Sequence, residues 1–132
     1  MSRGAGKRRK RVVRERCVIH YSQRDKCWVA HGLRTDQIGT GDCVVDALAD
    51  YMRAIGQILA VAEADPTVAI LRRAPLKVQR MAQNASPLPQ EIYEIAHKVV
   101  HGDWPADVEP RFNIPPGKRL DTGIRQLELT GA

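Results

Sequence analysis

Two short alternating runs, a polar turn between them and one long helical stripe organise the first half of the chain. Residues 17–22 (Cys-Val-Ile-His-Tyr-Ser) and 27–31 (Cys-Trp-Val-Ala-His) are rich in β-formers and flank the polar Gln23-Arg24-Asp25-Lys26. That pattern predicts a β-hairpin. A four-residue turn sets Tyr21 opposite Trp28, and the period of two then gathers Ile19, Tyr21, Trp28 and Ala30 on the buried face. His20 and His31 fall on the other face. Residues 32–36 form a loop into a short third strand at 37–40. Gly39 and Gly41 supply the backbone freedom of a tight turn, and Asp42 is placed to accept hydrogen bonds from the first free amides of the next helix. From Cys43 to about Glu63, Val44, Leu48, Tyr51, Met52, Ile55, Ile58, Leu59 and Ala62 recur at three- and four-residue steps, the signature of an amphipathic helix. Asp46, Asp50, Arg53 and Gln57 take its opposite side, and Asp65-Pro66 stops it.

The second half reads less regularly. Residues 67–71 (Thr-Val-Ala-Ile-Leu) predict a fourth strand, ended by Arg72-Arg73-Ala74-Pro75. Residues 76–83 suit a short helix. Pro89 suits the first turn of another, from Gln90 to His101, with Ser86 or Leu88 near its cap and Gly102 at its end. Four prolines (Pro105, Pro110, Pro115 and Pro116) mark residues 103–118 as irregular chain on a surface. Residues 123–129 alternate as a late edge strand would. The expected fold class is α+β: a small antiparallel βββα(β) core at 17–74, preceded by an arm at 1–16. Additional helices and an irregular proline-rich tail follow at 75–132.

Charge changes this picture most. The formal net charge is +6, but residues 1–16 alone carry eight Lys/Arg and one Glu. The rest of the chain is close to neutral. Residues 1–11 bury nothing and are expected to be disordered in isolation. Their cations would condense on phosphate with steep salt dependence. Arg3, Lys7, Arg8, Arg9, Lys10, Arg11, Arg14 and Arg16 are therefore the candidate nucleic-acid contacts. With no aromatic interleaved, base stacking is not expected from the arm. No apolar run reaches the roughly 18 residues of a membrane span, and no signal-peptide core follows the basic start. A cytoplasmic chain with no membrane contact is expected. Three cysteines (Cys17, Cys27, Cys43) without a CxxC pair read as reduced, packed thiols.

A family resemblance enters through the order of these pieces. Trp28-Val29-Ala30, then Gly39-Thr40-Gly41-Asp42-Cys43, then Asp46-Ala47-Leu48 resemble the core motif of the HicB antitoxins of bacterial toxin–antitoxin pairs, over residues 18–60. Cys43 stands where that family usually has Thr, Asp46 where it has Glu, and the loop 32–36 lacks the frequent Pro-x-x-Pro-Gly. The resemblance implies a partial RNase H-like domain, small and often dimeric, that binds and blocks a small ribonuclease toxin. Many members add a C-terminal DNA-binding helix-turn-helix or ribbon-helix-helix. Here the two candidate helices are separated by Asn84-Ala-Ser-Pro-Leu-Pro89, too proline-rich for a tight helix-turn-helix.

The remaining chemistry is sparse. An RNase H-type nuclease needs a carboxylate on its first strand among those that hold divalent metal, and residues 17–22 have none. Asp42, Asp46 and Asp50 share a helical side and are geometrically able to share an ion. Three acids on a solvated helix face are commoner than a metal site, and Asp42 and Asp46 serve better as compensation for the helix dipole. Gly39-Thr-Gly41 lacks a third glycine and a Walker lysine, so it is no nucleotide loop. No metal or cofactor is expected. His20 and His31, diagonal on one sheet face, could act as acid and base in a metal-free ribonuclease, or sit in a partner interface. The function read from the sequence is a non-enzymatic, antitoxin-like binding protein that engages a protein partner through His20, His31, Arg34, Tyr93 and Trp104. Its arm would hold nucleic acid. The rival readings are an adapter subunit of a nucleic-acid-processing complex and that small ribonuclease.

Overall fold

The computed structural model describes residues 13–100, 106–113 and 120–123. Within them the chain is α+β, with one mixed five-stranded sheet and three helices. The strands are β1 (Val13–Ser22), β2 (Cys27–Gly32), β3 (Ile38–Gly41), β4 (Ser86–Pro87) and β5 (Ala106–Asn113). They lie in the order β3-β2-β1-β5-β4, antiparallel except where β1 pairs with β5. The helices are α1 (Val44–Ala64), α2 (Leu76–Gln83) and α3 (Gln90–Val100). No described helix is long and apolar enough to cross a membrane.

The hairpin has the expected register. Tyr21 pairs with Trp28 across a turn that closes at Ser22 and Cys27, and the two rings meet edge to face with centroids 5.4 Å apart. Ile19, Trp28 and Ala30 are fully buried against α1 and α3, together with Leu48, Tyr51, Met52, Ile55, Ile92 and Ala96. The opposite face is covered too, where Val18 packs with Ala74, Val78 and Ala82 of α2 and its approach. A sheet covered on both faces buries alternate residues of both sets. Val18 and Val29 are therefore as much core as Ile19 and Ala30.

Four expectations are corrected. Residues 67–71 are irregular and not a strand; Arg72 and Ala74 instead donate backbone hydrogen bonds to Arg34 and Leu33 at 2.7 and 3.0 Å, strapping this segment beside the loop after β2. Residues 106–113, expected to be irregular, form β5 against the central strand, which makes the sheet mixed and not purely antiparallel. Pro110 does not break this ladder. Its carbonyl faces β4 and accepts from Leu88 N at 3.0 Å, so the missing N–H falls on that side and the pairing to β1 keeps its donors. The helix start is built differently as well. Cys43 occupies the cap position of α1 without a side-chain capping bond; Val44 N and Val45 N donate to the carbonyls of Asp121 and Thr122 at 2.8 and 3.2 Å. A returning C-terminal segment thus satisfies amides assigned to Asp42.

The fourth correction concerns the glycine junction. Among the described glycines only Gly123 has a positive φ, so Gly39 and Gly41 are not needed for unusual backbone angles. Gly39 is needed for space. A Cβ there would lie 2.0 Å from Tyr51 N and 2.4 Å from Ala47 O, because α1 rests directly on the backbone of β3. The short helices match expectation, α2 at Leu76–Gln83 and α3 at Gln90–Val100, with His101 outside the described residues. They pack on opposite faces of the sheet, with β4 between them. Residues 76–100 therefore do not form a helix-turn-helix. The expected edge strand at 123–129 lies outside the described residues beyond Gly123.

Candidate nucleic-acid interface

The arm joins the sheet at a point fixed by a buried carboxylate. β1 begins at Val13, earlier than the hydrophobic pattern suggested, so the first strand does carry a carboxylate, contrary to the reading from residues 17–22: Glu15 falls on the same alternate set as Cys17 and Ile19. It is only 5% exposed. Its carboxylate accepts from Arg34 N at 2.8 Å, Thr35 N at 2.7 Å and Thr35 Oγ1 at 2.9 Å, and from the Tyr51 hydroxyl. Four donors offset the desolvation of this charge. Gly32 leaves room for it, since a Cβ there would lie 2.5 Å from Glu15 Oε1. Burial, then the neighbouring Cys17 and Glu15, pushes the Tyr51 phenol far above its usual range, so it stays a donor. Glu15 therefore ties β1, the loop after β2 and α1 into one unit. The sequence reading missed it because it sits between arginines; its i, i+2 spacing to Cys17 and Ile19 is the signal that marks it as inward-facing.

That knot presents a cluster of cations. Arg14 and Arg16, flanking Glu15 on the strand's other face, are exposed. The guanidinium of Arg34 donates to the Arg14 carbonyl at 3.0 Å. Arg72 reaches Asp36 at 3.6 Å while its side chain stays 82% exposed. Lys77 and Arg80 follow on the solvent side of α2. Two carboxylates on this side are engaged: Glu109 by Arg111 at 2.8 Å and Arg16 at 3.6 Å, Asp36 by His31 and Arg72. The side formed by α1 and α3 has the opposite character. There Asp46, Asp50, Glu63, Glu91 and Glu94 are exposed, against Arg53 and Lys98. The described residues are thus polarised across the sheet.

No family model, curated protein or solved structure matches this chain.

The remaining candidate residues are distributed as follows. Arg3, Lys7, Arg8, Arg9, Lys10 and Arg11, like Trp104, lie outside the described residues. His31 is not an exposed partner residue: it is 6% exposed, with Nε2 2.6 Å from Asp36 Oδ1. Its neighbour Val18 is core, so α2 and its strap occupy the face on which a partner had been expected. His20 is half-buried beside Lys77, and burial, then His31, holds its imidazole below the usual range. Arg34 is exposed, its backbone N fixed by Glu15. Tyr93 is half-buried against the core, its ring 6.3 Å from that of His97. The structure thus brings Arg14, Arg16 and Arg34 together and leaves Tyr93 on the far side of the sheet.

Asp42, Asp46 and Asp50 line an open cleft of about 420 Å³ with Thr40, Arg53 and Val99. Asp50 is used internally, accepting from Thr40 N at 2.9 Å. Among the described residues no group of three or more His, Cys, Asp or Glu is arranged to hold a metal ion. The three cysteines are free thiols, Cys17 buried and Cys27 and Cys43 half-buried.

Proposed function

We propose that this protein is a non-enzymatic, HicB-like and antitoxin-like binding protein of the cytoplasm, whose basic N-terminal arm contacts nucleic acid while the folded body engages a protein partner. The observation that carries the nucleic-acid half is the attachment of the arm. After Val12 and Val13 its basic run is followed by Arg14 and Arg16, exposed on a strand that Glu15 locks to the rest of the fold. Charge fixed on a rigid strand is oriented, and it loses less freedom on binding phosphate than charge on a free tail. The HicB-like half is supported by the hairpin, third strand and glycine-seated helix, which follow in the order of the motif. A non-enzymatic reading is supported by the burial of His31 against Asp36, which takes one half of the candidate acid–base pair out of reach of a substrate.

Two purified proteins test this: the full chain, and one with Lys7, Arg8, Arg9, Lys10 and Arg11 changed to glutamine. Fluorescence anisotropy with labelled duplex DNA and RNA should show salt-sensitive binding that the arm variant weakens severalfold. A copurifying small basic protein from the native host should remain bound to both. RNA cleavage that disappears in His20→Ala and His31→Ala would overturn the non-enzymatic reading.

A further inference from the structure

The polarised body suggests more than an anchoring tail. We propose that the α2 side of the sheet is itself a docking surface for the phosphate backbone of a nucleic-acid double helix, an inference that rests on the nucleic-acid reading above. The segments that carry the cations on this side are tied to one another. Arg34 bonds the Arg14 carbonyl, Arg72 N bonds the Arg34 carbonyl, and Ala74 beside Arg73 bonds Leu33, which itself donates to Arg16 O at 2.9 Å. Lys77 and Arg80 continue the patch along α2, where Val78 and Ala82 pin the helix to Val18. These groups stand on strands, a helix and a strap tied by backbone hydrogen bonds, so their spacing is set by the fold.

The electrostatics select the occupant. On this side Glu109 is engaged by Arg111 and Arg16 and Asp36 by Arg72, whereas the exposed acids Asp46, Asp50, Glu63, Glu91 and Glu94 lie on the other. A polyanion approaching the protein is attracted to one side and repelled from the other, which orients the encounter. None of the patch residues is aromatic, and single strands are held by stacking on aromatic rings as well as by charge. A double helix, which displays phosphates at regular intervals and hides its bases, is the polyanion that a patch of guanidinium and ammonium groups fits.

The test uses the full chain with Arg72, Arg73, Lys77 and Arg80 changed to glutamine, beside the arm variant described above. A control carries Glu63→Gln, Glu91→Gln and Glu94→Gln. Each is titrated with a labelled DNA duplex over a range of salt concentrations, and circular dichroism checks the folding of each variant. Each phosphate contact contributes about 0.9 to the slope of log affinity against log salt. The patch variant should therefore lose about 2 to 3 from that slope and at least about tenfold in affinity at low salt, while the control binds as tightly as wild type or tighter. If the quadruple variant unfolds, Lys77→Gln with Arg80→Gln should still lower the slope by about 1 to 2. A patch variant that keeps the wild-type affinity and slope, while the arm variant loses both, overturns this inference and leaves the arm reading intact. Wild-type protein that binds no nucleic acid overturns both. Polyglutamate that displaces the duplex at equal charge concentration overturns the choice of a double helix, since any polyanion would then serve.

Discussion

Replacing Gly39 by alanine places a methyl carbon 2.0 Å from Tyr51 N, 2.4 Å from Ala47 O and 2.5 Å from Tyr51 Cα. All three obstacles are backbone of α1, so no side-chain rotation relieves the clash. The helix must lift from β3 by an ångström or more, on the order of the overlap with ordinary contact distances. Lifting loosens Leu48, Tyr51, Met52 and Ile55 together, all of which are fully buried. Overpacking in a core costs about 1–3 kcal/mol when neighbours can adjust; with rigid backbone on both sides we expect about 3 kcal/mol or more. Gly56, in the same helix, is the internal control. A Cβ there meets nothing within 4 Å, and Gly→Ala inside a helix stabilises by about 0.5–1 kcal/mol. The same chemical change at two sites of one helix should therefore have opposite signs. Urea denaturation of the purified full chain, followed by far-ultraviolet circular dichroism, reads both. In melting temperature the pair should separate by roughly 10 °C or more. A cost below about 1 kcal/mol for Gly39→Ala would refute the direct seating of α1 on β3.

Three further outcomes test other parts of the structure. Tyr51→Phe removes one donor from the buried Glu15 carboxylate and should cost about 1.5–3 kcal/mol in the same assay; an unchanged midpoint would mean that Glu15 does not need this bond. Cys17 is fully buried, and burial together with the Glu15 carboxylate pushes its thiol well above the usual range, so a disulfide reagent should label Cys27 and Cys43 in the native protein and reach Cys17 only on unfolding. Three thiols reacting at one rate would contradict this placement. His20 is held below its ordinary value of 6.5, first by burial and then by His31. Between the folded and unfolded values the unfolded chain binds more protons, so stability should fall as pH drops through that window and level off above it. His20→Asn should flatten that dependence, and a slope unchanged by the substitution would assign it to another group.

The legible parts of this fold were those encoded locally. The hairpin register follows from a four-residue polar turn and a period of two, and it places Tyr21 on Trp28. The stripe of α1 follows from three- and four-residue spacing, and its predicted apolar positions are buried, Ile58 partly so. What was not legible depends on pairing between distant segments. β5 gains its strand conformation from β1, more than eighty residues earlier in the chain, and its own proline argues against a strand until Leu88 is seen on the proline's side. The Asp121 and Thr122 carbonyls that cap α1 have no sequence signature at the helix start. His31 reads as exposed only while the sheet is taken to have one covered face. Of the candidate site, the charge of the arm was visible from composition. The polarity of the body was not, because a neutral sum conceals how the charges are divided between two faces.

If the proposal holds, nucleic acid binds one side of the sheet as well as the arm. Amide chemical-shift mapping of the full chain, titrated with an unlabelled DNA duplex, tests that most directly. Shifts should concentrate at Arg14, Arg16, Arg34, Arg72, Arg73, Lys77 and Arg80, while the amides of Asp46, Asp50, Glu91 and Glu94 stay in place. Shifts centred on α1 and α3, or none in the body at all, would contradict it.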